Sequence, residues 1–140
     1  MIPRWYWFVS GLAVLWMLFG VLAFIMDPLT DEAALAQMSE AERELFLERP
    51  TWLFVIYGIA VFSGLVGAVG LLMRRSWAVT AFVVSLVTVI IQFIYVLFVM
   101  DAIGRIGAVA ALPFPLVIFV IGAGLLWFSL FARRNGWFHP

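Results

Sequence analysis

Cysteine is absent from the 140 residues, which excludes a disulfide, a thiol nucleophile and a cysteine-ligated metal or cluster. Lysine is absent too, so all eight basic residues are arginine. Histidine occurs once, at His139. A haem or metal site inside a helical bundle therefore lacks its usual ligands, and no serine, histidine and acid are placed to form a nucleophilic triad. Glycine motifs that cradle phosphate are missing as well: "GLVGAVG" lies inside an apolar run, not between a strand and a helix. Charged residues make up only 11% of the chain. None falls within the long apolar runs, which removes the ionisable group at membrane depth on which ion-coupled transporters and proton relays depend. Neither an enzyme nor a cofactor, metal or nucleic-acid partner is expected.

Apolar residues fill the space these leave. They are 66% of the sequence, more than a soluble domain of this size can bury, because small domains keep most residues partly wet. Four runs, about 5–26, 52–73, 77–100 and 114–132, are long enough for helices that span a hydrocarbon core of about 30 Å. The runs lack the alternation of barrel strands, so helices are preferred. The first is too long for a signal peptide, and "FIMDP" offers no small-residue cleavage site, so it is read as a retained span. The expected architecture is an all-α polytopic membrane domain over 1–140, a bundle of four transmembrane helices.

Arg4, Arg74, Arg75, Arg133 and Arg134 closely flank one set of span ends, whereas Arg43, Arg49, Arg105 and all eight acids fall at the other. The positive-inside rule then places both termini in the cytoplasm. Trp5, Trp7, Trp52, Trp77, Trp127 and Trp137 sit near span ends, where indole favours the interface. The arginine pairs can touch anionic headgroups, making membrane lipids partners. Residues 27–50 form the largest extramembrane piece, in which Ser39 and Glu42 make a capping-box pattern, Thr30 can cap a shorter helix, and Pro50 ends the segment. A short helical extracytoplasmic cap follows, with Met38, Leu45 and Phe46 turned toward the spans. A loose similarity between the two halves of the chain rests on prolines at the start of the even spans and arginine pairs at their ends.

In the second run Ala60, Gly64, Gly67 and Ala68 share one side of a helix, with Gly58 and Gly70 nearby. Small residues at that spacing permit close helix packing, either within the chain or between copies of it. In the third run, "SLVTVIIQFIY" spaces Ser85, Thr88, Gln92 and Tyr95 along one stripe. An unpaired amide in hydrocarbon costs roughly 4 kcal/mol or more, so the stripe must face protein or water. As interhelical glue, each of these contacts is worth on the order of 1 kcal/mol. As a cavity lining, the same groups read a small uncharged polar solute, Gln92 first, with Tyr57 or Tyr95 adding hydroxyls and stacking surface. Beyond the stripe, Asp101 and Arg105 stand at i,i+4 spacing, as a surface pair or a gate.

"PLTDEAALAQMSEAERELFLERPTW", "YGIAVFSGLVGAVGLLMRRSWAV" and "VIIQFIY" together resemble a family of short four-span bacterial inner-membrane proteins commonly labelled sugar transporters. The resemblance covers about residues 5–100; four-span bundles of the DoxX type are a vaguer likeness. It implies a bacterial source, an inner-membrane location and a four-helix fold. Two functions are thus expected in the alternative: a transport-related protein for an uncharged polar solute, working as a homo-oligomer, or an accessory subunit whose glycine face docks another membrane protein.

Overall fold

The computed structural model describes residues 2–139. Four of its helices are long and apolar enough to cross a membrane. They belong to an all-helical chain in which α1 is Arg4–Met26, α2 Glu32–Ala36, α3 Glu40–Glu48, α4 Thr51–Leu72, α5 Trp77–Ile94, α6 Ala102–Ile106, α7 Ala108–Ala111 and α8 Pro113–Arg134. Among the described residues there is no β-strand, only an isolated bridge between Arg75 and His139. The four long helices lie where the apolar runs predict them.

Local chemistry sets most of the boundaries. Pro3 and Pro50 precede α1 and α4, and Pro113 opens α8, a position where a missing N–H costs nothing. Ser39 caps α3 by accepting from the Glu42 N–H at 3.2 Å. The cap of α2 is Asp31, which accepts from Ala34 N–H at 2.9 Å. Thr30, expected in that role, instead donates to the Asp27 carbonyl at 2.8 Å. A carboxylate one residue nearer the helix is the better acceptor, and the hydroxyl is left to close the turn behind it.

Helix α4 is the hub, packing on α1 and α5, while α5 also packs on α8. At the end of the bundle that carries both termini, the Tyr6 hydroxyl of α1 donates to the Leu71 carbonyl of α4 at 2.6 Å. Tyr6 also meets Phe128 of α8 and Trp137 of the tail. Fully buried Tyr6 and Leu71 centre a core there with Phe82, Ala78 and Ala132. A second core, built on Leu45, Leu53, Leu97 and Met100, fills the opposite end. Leu45 thereby anchors α3, whereas Met38 and Phe46 are only half-buried. The outer faces of the long helices are apolar: Phe19, Val55, Phe98, Leu116 and Trp127 are all exposed.

The small residues of α4 permit its central position. Ala60, Gly64, Gly67 and Ala68 are all buried. A Cβ at Gly64 would lie 2.6 Å from Met17 Sδ and 3.2 Å from Ser85 Oγ, and one at Gly67 would lie 2.9 Å from the Phe82 ring. These partners belong to α1 and α5 of the same chain, so this face of α4 is packed within the bundle. A Cβ at Gly124 meets nothing within 4 Å. Overpacking a filled core costs about 1–3 kcal/mol. Gly67→Val is therefore expected to lower the thermal midpoint in detergent by several degrees, and Gly124→Val to leave it nearly unchanged; equal effects would contradict the packing described.

Candidate functional site

The polar stripe divides into a satisfied half and an unsatisfied one. Ser85 Oγ donates across to the Ala60 carbonyl at 2.8 Å, an interhelical bond made possible by the small residues of α4. Thr88 Oγ1 donates to the carbonyls of Val84 at 2.9 Å and Ser85 at 2.8 Å, the local back-bonding that short hydroxyl side chains make in helices. Both residues are buried and bind α5 to its neighbour or to itself. Tyr95 packs edge-on to Trp52, ring centroids 4.6 Å apart. None of the three lines the cavity that Gln92 faces.

Gln92 differs. Its side chain makes no hydrogen bond among the described residues, and it lines a partly open cavity of about 430 Å³ at the end of the bundle away from the termini. Tyr57 lines the same cavity from α4. At a helical rise of 1.5 Å per residue, Gln92 lies about 10 Å from the end of its helical segment at Val99, and Tyr57 about 9 Å from the start of α4 at Thr51. The two polar groups are therefore at similar depth on antiparallel helices. Phe54 and Phe93 supply apolar walls. The Phe54 wall is buttressed from α1: Phe24 stacks on Phe54 at 4.5 Å and meets Tyr57 edge-on at 5.2 Å. Gly58 permits this approach, since a Cβ there would lie 2.9 Å from the Phe24 ring.

Two charges stand at the mouth. Asp27, just after α1, and Arg49, just before α4, form a two-pronged pair with contacts of 2.7 and 3.0 Å. Arg49 Nε also donates to the Phe46 carbonyl at 3.2 Å, and the guanidinium lies 4.1 Å above the Phe46 ring. Fork geometry of this kind is the strong form of an ion pair, and the pair is mostly shielded from solvent. The mouth is thus built and electrically neutral. The sequence reading missed this pair, though a signal was present: "DP" leaves α1 and "RP" enters α4, opposite charges at facing helix ends.

The expected pair of Asp101 with Arg105 does not form. Asp101 is held in the left-handed region (φ 56°) and caps α6, accepting from the Gly104 N–H at 3.2 Å. Arg105 reaches instead to Glu48 of α3. That hydrogen bond pushes the guanidinium pKa further up, so Arg105 stays charged at any ordinary pH. Glu48 and Arg49 thus tie the end of α3 in two directions, to α6 and to the end of α1. Between Gln92 and Asp101, α5 loosens into a π-helical turn over Tyr95–Val99, closed by Met100 N–H to the Tyr95 carbonyl at 2.9 Å. Such turns are often found at functional sites. Val96 within it lines the cavity.

Among the described residues no cluster of three or more histidine, cysteine or carboxylate side chains could hold a metal ion. Comparison with protein-family models, with curated proteins and with solved structures found no match.

Breaking one side of a shielded charge pair leaves the other partner unsatisfied, at about 1–3 kcal/mol. Arg49→Gln and Asp27→Asn are each expected to destabilise the protein by that order. In a double-mutant cycle read by thermal or denaturant unfolding, the two should be clearly non-additive. Additive losses would show that the fork contributes nothing.

Proposed function

We propose that the chain is an integral membrane protein whose cavity takes an uncharged polar solute such as a sugar, in the manner of a small transport-related protein of the bacterial inner membrane. The observation that carries this reading is Gln92: an amide about 10 Å inside a long apolar helix, without a hydrogen-bond partner among the described residues, facing a cavity. An amide in that position costs several kcal/mol in hydrocarbon and little beside water or a hydrogen-bonding ligand. About 430 Å³ lies within the usual range for small-molecule pockets, which are apolar with a few placed polar groups. Gln92 can donate and accept, the Tyr57 hydroxyl can do both, and Phe54 and Phe93 offer faces for the apolar side of the solute. The mouth charges satisfy each other, so nothing there selects for an ion.

The membrane setting draws on the exposed apolar faces of the four long helices, which water would penalise at roughly 25 cal/mol per Å² and lipid would not. Five arginines at the terminal end against three at the other favour both termini in the cytoplasm, with α2 and α3 forming a cap on the outer surface over the cavity mouth. The resemblance of residues 5–100 to the four-span family points the same way. One bundle of four helices leaves little room for a complete path, so passage across the membrane is assigned to a homo-oligomer assembled through the outer faces.

Two measurements test this. In nanodiscs, a panel of neutral sugars and polyols should include one that raises the thermal midpoint of the wild-type protein. Gln92→Leu and Tyr57→Phe should each weaken that response about tenfold, equivalent to about 1.4 kcal/mol. Gln92→Leu should itself be as stable as wild type, because the side chain makes no hydrogen bond among the described residues. A destabilised Gln92→Leu that binds as before would make Gln92 a packing residue and end the solute reading. Topology is open to labelling, since the chain carries no native cysteine. Thiols introduced by Glu40→Cys and Arg134→Cys should react with an impermeant reagent from opposite faces of the membrane; reaction from one face would refute an even number of crossings.

A further inference from the structure

The turn between α4 and α5 and the segment after α8 are separate in sequence, each with an arginine pair, yet they form one joint. Arg74 sits in the left-handed region (φ 56°), its carbonyl accepts from His139 N–H at 2.6 Å, and its Nε donates to the Trp137 carbonyl at 2.8 Å. Gly136, at φ 72°, turns the tail back to make these bonds. Trp137 then packs on Trp5, Tyr6 and Phe131, so α1, which opens with Arg4, belongs to the same end. The joint therefore gathers Arg4, Arg74, Arg75, Arg133 and Arg134, with every acid at the opposite end of the bundle. Arg4, Arg75, Arg133 and Arg134 are exposed, and none of the five makes an ion pair among the described residues. Arg74 is half-buried, and the bond at Nε fixes its guanidinium while the terminal nitrogens meet no acceptor among the described residues.

From this we infer that the terminal end of the bundle is a binding site for the phosphate of anionic phospholipids, with Arg74 as its fixed fork and Arg75, Arg133 and Arg134 completing the charge. Guanidinium donors pair with phosphate oxygens two at a time, and four or more basic residues at a helix end form a lipid-recognition cluster where isolated pairs do not. A lipid is favoured over a soluble phosphate by what borders the cluster. Exposed Trp5, Trp7, Trp77 and Trp127 lie toward the same end, and the apolar outer faces of the helices begin directly beneath, giving acyl chains a surface that inorganic phosphate has no use for.

The inference rests on the membrane reading, and the two are tested apart. Extraction of the protein from membranes by alkaline carbonate would overturn the membrane reading itself. For the site, the full chain in neutral detergent is titrated with phosphatidylglycerol, with phosphatidylcholine and with inorganic phosphate, and read by native mass spectrometry and thermal midpoint. Phosphatidylglycerol should bind at least tenfold more tightly than phosphatidylcholine, and inorganic phosphate should stabilise far less at equal concentration. The triple variant Arg75→Gln, Arg133→Gln, Arg134→Gln, which spares the bond from Arg74 to the tail, should lose that preference, while Arg43→Gln at the far end keeps it. Equal binding of the two lipids, an undiminished preference in the triple variant, or inorganic phosphate matching the anionic lipid would each overturn the site.

Discussion

The close approach of α4 to α1 and α5 is the contact on which the rest of the molecule depends. It is possible only because α4 shows its neighbours Gly58, Ala60, Gly64, Gly67 and Ala68, so that Phe24, Met17, Ser85 and Phe82 press against backbone. In the proposed membrane setting, lipid gives apolar side chains no reason to leave it, so the helices need dispersion contacts at close range and an occasional bond between helices. The bond from Ser85 to the Ala60 carbonyl is one, and the bond from Tyr6 to the Leu71 carbonyl is another. At the far end of the same helix the approach loosens. There Phe54 and Tyr57, propped by Phe24 over Gly58, stand back from Gln92 and Phe93, and a cavity opens between them.

The cavity follows from how far each polar side chain reaches. Serine and threonine are short enough to bond to carbonyls of their own or the adjoining helix, so Ser85 and Thr88 are satisfied where the packing is tight. Glutamine is longer and needs more than one partner. Gln92 lies beside the π-helical turn, where α5 departs from regular geometry and the second core begins. The fork of Asp27 and Arg49 then stands at the mouth, joining the ends of α1 and α3 without leaving a net charge. Packing, unmet hydrogen-bonding capacity and a neutral mouth all support the proposed uncharged polar solute.

The positions of the four long helices were legible in the sequence because apolar length is a one-dimensional property. The stripe of Ser85, Thr88, Gln92 and Tyr95 was legible from its spacing, but its division was not, since spacing places side chains on a face without showing which carbonyls come within reach. The expected pair of Asp101 with Arg105 assumed a continuous helix. The chain instead turns through a left-handed Asp101, which caps α6 and sends Arg105 to Glu48. Asp27 and Arg49 are 22 residues apart and meet only because α1 and α4 are antiparallel neighbours. The clasp of the tail on Arg74 had no signal at all beyond Gly136, because both of its acceptors are backbone carbonyls, which every sequence carries.

Water at Gln92 is the central claim, and it can be measured directly in a chain without native cysteine. Single Gln92→Cys and Ser85→Cys proteins in membranes are treated with a small water-soluble thiol reagent. Position 92 should react from the acidic end of the bundle, while position 85, sealed between α4 and α5, should not. If position 92 were as inert as position 85, the cavity would be dry and its role in holding a polar solute would be contradicted.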